Sequence, residues 1–188
     1  MQRRGVLACC AAGLLLVSLA GCEPVTDIIG GQGSGGTDLL QLMNKAEQIV
    51  GGDYPLSVLI EVVGAPSAGV AFDARDVDRW QFRFVDDIYA TFPATVVLDY
   101  ADETFAGPER IPWPLWDTVF DELPREMSFD EAVGHLRDAG YEEPFSAVAL
   151  RTPLTEPAPD EPYFVFTLPG QFVFVGALTG EISEGSLP

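Results

Sequence analysis

One pattern occurs twice in this chain and limits what it can become. An amphipathic helix pattern is stopped by glycine, then Pro-x-Ser opens an apolar, β-rich run. The first such run is PLSVLIEV (residues 55–62) and the second is PFSAVALR (144–151). Ahead of the first, Leu39, Leu42, Met43, Ala46, Ile49 and Val50 recur at helical spacing, which predicts a helix over 38–50. Thr37 is the expected cap and Gly51-Gly52 the expected stop. Ahead of the second, Ser128 and Glu131 form a capping box for a helix through Ala139, with Phe129, Ala132, Val133 and Leu136 inward and Gly140 as the stop.

The strands that follow also correspond. RWQFRF alternates, with Trp80, Phe82 and Phe84 on one side and Gln81 and Arg83 on the other. TVVLDYADETF follows it, with a turn expected at Asp102-Glu103. In the second half a proline-rich loop, TPLTEPAPDEP, leads to YFVFTL, the turn PGQ and FVFVGAL. Neither half alone could bury a large core, whereas the two side by side could share a sheet. The expected fold is therefore α+β: two degenerate repeats, each a helix packed on about three antiparallel strands. The repeats span 38–110 and 127–188, and a connecting segment over 111–126 is expected to hold a short helix begun by Pro114 and ended by Pro124.

The N-terminus addresses the chain to a compartment. Arg3 and Arg4 precede an apolar run from Gly5 to Ala20, short for a membrane span and suited to a signal peptide. Leu19-Ala20-Gly21 then leads into Cys22, which resembles the lipobox of bacterial lipoproteins. The resemblance implies cleavage after residue 21 and a diacylglycerol thioether, with further acylation, on Cys22. Cys9 and Cys10 would leave with the signal, so no thiol would remain for a disulfide. In the lipoproteins it resembles, aspartate after the cysteine favours inner-membrane retention. Glu23 stands there instead, which points to the outer membrane where the host has one. Residues 22–37, rich in glycine, read as a flexible tether.

Charge narrows the partners. The formal charge is −19, and loss of Arg3 and Arg4 with the signal takes it to −21. Such a surface repels nucleic acid and anionic headgroups, so contact with the membrane is expected through the lipid alone. Chemistry-bearing groups are sparse. His135 is the only histidine and falls on the outer side of its helix; Lys45, the only lysine, has no S-x-x-K serine. No histidine–cysteine cluster suits zinc, and GGQGSGG lacks the strand, helix and lysine of a phosphate loop. Asp73, Asp76 and Asp78 crowd one loop, but DARDVD lacks the glycine and later glutamate of a calcium loop. They read first as turn and cap residues and second as calcium ligands. Asp86-Asp87, Asp102-Glu103 and Asp130-Glu131 read the same way, and no carboxylate pair stands out for glycosidase-type work. Trp113 and Trp116, in IPWPLW, read first as buried packing of the connecting helix and second as a hot spot for a protein partner.

Ala177, Thr179, Gly180, Glu181 and Ile182 carry a last signal. An aromatic-rich hairpin ending in A-x-TG-E-hydrophobic is similar to the end of PepSY domains, over about residues 128–184. Residues 38–106 match only as a degenerate copy, with Ala101-Asp102-Glu103 in place of Leu-Thr-Gly. The tandem plan also resembles the β-lactamase-inhibitor-protein architecture in layout. The resemblance implies a non-catalytic extracytoplasmic module without cofactor, docking on another envelope protein, and protease inhibition has been proposed for such domains. A structural or assembly lipoprotein is the alternative expectation, and a hydrolase using paired carboxylates a third.

Overall fold

The computed structural model describes residues 38–87, 89–91, 93–113, 122–155 and 159–185. The fold is α+β. Among the described residues nine strands form one antiparallel sheet, and two α-helices lie on one of its faces. In chain order the elements are α1 (Leu39–Asp53), β1 (Val58–Ala65), β2 (Arg79–Val85), β3 (Thr95–Ala101), β4 (Thr104–Phe105), β5 (Glu109–Ile111), α2 (Phe129–Asp138), β6 (Ala147–Arg151), β7 (Tyr163–Leu168), β8 (Gln171–Gly176) and β9 (Ile182–Glu184). The strands lie in the order β4-β3-β2-β1-β6-β7-β8-β9, and β5 pairs with β3 beyond the end of β4. From the central β1–β6 pair outward, each side is a meander of consecutive antiparallel strands.

The alternation read from the sequence sets the faces. Trp80, Phe82 and Phe84 of β2, Val96 and Leu98 of β3, Phe164 and Phe166 of β7, and Val173 and Val175 of β8 are buried beneath the helices. Helix α1 contributes Leu39, Leu42, Met43, Ala46 and Val50, one helical stripe. Helix α2 contributes Phe129, Ala132, Val133 and Leu136. Phe129 ties the two sides of the sheet together. Its ring meets Trp80 of β2 edge-on at 5.2 Å and stacks at 6.2 Å from Phe164 and from Phe166 of β7. Burying one such side chain contributes about 2–3 kcal/mol. Gly64 pairs with Trp80 across β1 and β2, and a Cβ on Gly64 would lie 2.5 Å from the indole. Glycine is therefore what lets the tryptophan lie flat over the strand.

Three expectations are corrected. Helix α1 runs through Gly51-Gly52 and ends at Tyr54, because two glycines weaken a helix without breaking it, while Pro55 biases the residue before it away from helical geometry. Its cap is Asp38, whose carboxylate accepts from Leu40 N at 3.0 Å, and not Thr37. Strand β5 (Glu109–Ile111) crosses the expected boundary at 110/111, so the sheet runs one residue into the segment assigned to the connector. The short helix expected after Pro114 lies outside the described residues. Helix α2 has its capping box: Glu131 N donates to the Ser128 hydroxyl and Ser128 N to the Glu131 carboxylate. The Ser128 N–H, and then the Ser128 hydroxyl, donating to the Glu131 carboxylate hold it below its ordinary range.

Candidate functional site

The face away from the helices is where side chains of unlike character meet. Strand pairing places its residues in rows across the sheet. One row runs Glu109, Val97, Arg83, Glu61, Arg151, Tyr163; the next runs Asp99, Gln81, Val63, Ala149, Val165, Phe174, Ser183. Beside them lie Ala101, Arg79 and Ala65 on one side and Ala147, Thr167 and Phe172 on the other.

The centre of this face is an ion triad. Glu61 is only 2% exposed and sits on β1 between two arginines. Arg83 Nη1 of β2 donates to it at 2.7 Å and Arg151 Nη1 of β6 at 3.4 Å. A polar chain continues outward: Arg83 Nε donates to Gln81 Oε1 at 2.6 Å, and Gln81 Nε2 to Asp99 Oδ1 at 2.9 Å. A carboxylate this buried needs paired donors to offset its lost hydration, and here each oxygen has one.

The two flanks differ. On the β6–β8 side, Arg151 is the only charged residue among the described positions of this face. The rest are Ala147, Ala149, Tyr163, Val165, Thr167, Phe172, Phe174 and Gly176, with Tyr163 and Phe174 meeting edge-to-face at 6.2 Å. Phe172 is 51% exposed. Burial, and then the nearby Glu161, push the Tyr163 hydroxyl above its ordinary range. On the β1–β3 side the surface is hollowed. A depression of about 270 Å³ is lined by Gln81, Arg83, Val97, Asp99, Glu109 and Trp113, and one of about 470 Å³ opens over Val63, Ala65 and Ala101. Gln81 and Asp99 belong to both, so the two form one trough.

Trp113 stands at the trough's rim, 63% exposed. Its first reading, buried packing, is corrected: the Thr95 hydroxyl holds the Trp113 carbonyl at 2.9 Å, which anchors the backbone and leaves the indole outside. Trp116 and Cys22 lie outside the described residues. Asp73, Asp76 and Asp78 do not converge. Asp76 accepts from Phe72 N and Asp73 N, both at 2.9 Å, and these bonds depress its pKa. Asp78 is turned to Ser67, whose hydroxyl bond holds it low. Asp73 pairs with Arg75 at 3.2 Å. Among the described residues no group of three or more His, Cys, Asp or Glu side chains could hold a metal ion. His135 is exposed, as its helical position implied, and packs against Gly180. Lys45 lies 5.6 Å from the centre of the Phe105 ring.

The A-x-TG-E residues have a physical role. Gly180 takes φ +71°, where a side chain is strained, and a Cβ there would sit 2.6 Å from the His135 ring. Thr179 donates its hydroxyl to Glu161 and accepts from Glu181 N at 3.1 Å. Glu161, from the proline-rich loop, also accepts from Leu178 N at 2.6 Å and Thr179 N at 3.1 Å. A nearly buried carboxylate thus holds the turn shut. Sequence reasoning missed Glu161, and it missed Glu61 too. A lone acid inside the apolar run LIEVV was the available signal, since an acid there demands basic neighbours on the adjacent strands. Among the described residues no helix is long and apolar enough to cross a membrane. No protein-family model, curated protein or solved structure matches the chain.

Proposed function

We propose that this chain is a non-catalytic, lipid-anchored binding module of the cell envelope, held by Cys22 and docking another envelope protein on the helix-free face of its sheet. The observation that carries the reading is the β6–β8 flank of that face. Phe172 there is half-exposed and Phe174 and Ala149 are partly so, around a buried Val165, with Arg151 as the only charge among the described positions of that flank, in a chain of net charge −19. Apolar side chains left partly exposed on a sheet face poor in charge are where protein partners dock. The same docking could serve inhibition, because a flat sheet face can cover a partner's cleft without chemistry of its own.

The two-copy organisation belongs to this reading. The sheet order runs outward from β1 and β6 through consecutive strands on each side, each set preceded by one helix, which is what a duplicated helix-plus-three-strand unit would give. A duplicated scaffold offers a broad face rather than a cleft.

A photo-crosslinking residue in place of Phe172, in the lipidated full chain in cells, tests the docking. The expected result is one discrete adduct that is absent when the same residue replaces Asp130 on α2. Absence of any adduct at 172, or equal adducts at both positions, overturns it.

A further inference from the structure

We propose that one end of the sheet rests on the bilayer that anchors the chain, so that protein side chains as well as the lipid on Cys22 meet the membrane. The inference rests on the lipid-anchored reading and adds a second membrane contact, on a part of the molecule separate from the helix-free face.

Strand pairing defines the end. The start of β1 lies level with the end of β2, the start of β3 and the end of β5; the end of β6 lies level with the start of β7 and the end of β8. The segments that emerge here are 54–57, 86–94, 112–113, 152–162 and 177–181. Each carries one exposed large apolar side chain: Leu56, Trp113, Leu154, Leu178 and, at 89% exposure, Tyr89. These are five of the eight such side chains among the described residues. Val70 and Phe72 belong to the opposite end, and Phe172 to β8. The Tyr89 connection is braced at its base, with Asp86 N on the Ala94 carbonyl at 3.0 Å and Ala94 N on Asp86 Oδ1 at 2.8 Å. An aromatic side chain on a braced connection has less freedom to lose on contact.

Spacing, side-chain type and charge together point to a bilayer as the occupant. In the order β5-β3-β2-β1-β6-β7-β8, with strands about 4.8 Å apart, the five side chains are spread singly over about 30 Å. Single apolar tips across such a width suit a flat, yielding surface better than a pocket. Leucines beside a tryptophan and a tyrosine, whose rings have an apolar body and a polar edge, suit the level of the headgroups. The described charged residues of these segments are all carboxylates. Arg110 holds Asp86, and the N–H groups of the 177–181 turn hold Glu161, which leaves Asp87, Asp160 and Glu181. The ammonium of a phosphocholine or phosphoethanolamine headgroup complements them, and an anionic headgroup repels them. The bilayer is also within reach. Helix α1 meets this end at Asp53 and so begins toward the other, about 22 Å away along its axis. Residues 23–38, between Cys22 and α1, can span up to about 55 Å.

The test uses the full lipidated chain in vesicles of phosphatidylcholine and phosphatidylethanolamine, with a fluorescent dye on one introduced cysteine. Leu154→Cys and Leu178→Cys place the dye at this end, and Val70→Cys places it at the other; all three replace exposed side chains, and circular dichroism checks the fold. Lipid bearing a nitroxide at headgroup level is the quencher. Quenching at 154 and 178 is expected to be at least about twice that at 70. Replacing about a third of the lipid by phosphatidylglycerol is expected to reduce it at 154 and 178. Equal quenching at all three positions, or none at 154 and 178, overturns the contact, and so does stronger quenching with the anionic lipid. Dyes at 154 and 178 that are shielded from aqueous iodide in native membranes, yet unquenched in protein-free vesicles, overturn it in favour of a protein partner. The intact mass reports the lipid on Cys22. With the lipid present and no quenching, the contact falls and the anchored reading stands. With the lipid absent, the anchored reading falls, and quenching of the same dyes by added vesicles decides the contact alone.

Discussion

The two sides of the sheet end their third strand differently. After β8 the chain turns through Gly180, at φ +71°, and the turn is held by Glu161 reaching across from another loop. After β3 it turns through Asp102 and Glu103, at φ +50° and +59°, held locally by the Thr104 hydroxyl on the Ala101 carbonyl at 3.0 Å. Aspartate tolerates left-handed geometry moderately and glutamate poorly. One turn thus uses the residue that suits positive φ plus a long-range clamp, and the other uses strained residues and a short-range bond. One side specifies its turn; the other tolerates it. The helices follow suit: α2 opens with a full capping box, whereas α1 has a single cap bond and carries Gly51-Gly52 in its last turn.

If the sides differ in how firmly each is specified, their join should matter most. Glu61→Ala would leave Arg83 and Arg151 facing each other across β1 with side chains about a quarter exposed. Removing one partner of a buried ion group costs about 3–5 kcal/mol, and the partial exposure of the arginines places the loss near about 3 kcal/mol. The measurement is the denaturant midpoint by circular dichroism. A single transition shifted as a whole is expected, because Phe129 packs on both sides of the join. Two separated transitions would mean that each side folds alone, and the comparison would then concern two domains.

The turns give a paired, smaller test. Gly180→Ala adds a Cβ at positive φ and against His135, for a loss of about 1–2 kcal/mol. Glu103→Gly relieves a strained residue and should gain about 0.5–1 kcal/mol. Opposite signs from thermal melts would sharpen the comparison, and a loss at both positions would end it.

What the sequence disclosed follows the same division. The alternation in RWQFRF placed Trp80, Phe82 and Phe84 correctly because period two is a local signal. Ser128 and Glu131 set the start of α2 because a capping box is also local. Pro169-Gly170 gave the β7–β8 turn, and Asp102-Glu103 the β3–β4 turn. Long-range contacts were not legible. Glu61 needs arginines from strands 22 and 90 residues away, and Glu161 serves a turn 17 and 18 residues on. Strand β5 is three residues with two charges, ERI, too short and polar for a periodic signal, so it does not read as a strand and the repeat boundary falls inside it. Trp113 read as buried because prolines and tryptophans together suggest a packed helix. Its exposure depends on the Thr95 bond to its carbonyl, which composition does not encode.

The smallest effects lie at the sheet's outer edges, and they should separate by pH. On the first side Arg110 of β5 holds Asp86 through Nε at 2.9 Å and Nη2 at 2.7 Å. Burial works to raise the Asp86 pKa, but the Ala94 N–H and Arg110 outweigh it and hold it below 3.8. A depressed carboxyl contributes stability above its unfolded pKa, and that contribution is lost as pH falls through the folded value. The first edge should therefore loosen in acid, below pH 3.8. On the second side Tyr141 donates to Glu184 of β9, and that bond pushes the phenol up to about 12 from 10.0. A raised phenol contributes stability that is complete below its unfolded pKa and is lost as pH rises from 10.0 toward about 12. The second edge should loosen in alkali. Hydrogen exchange at β5 and β9 amides reads each edge separately. Asp86→Asn should remove the acid response at β5 alone, and Tyr141→Phe the alkaline response at β9 alone. If both edges released together at either extreme, the sheet would open as one unit and the two sides would not differ in how they are held.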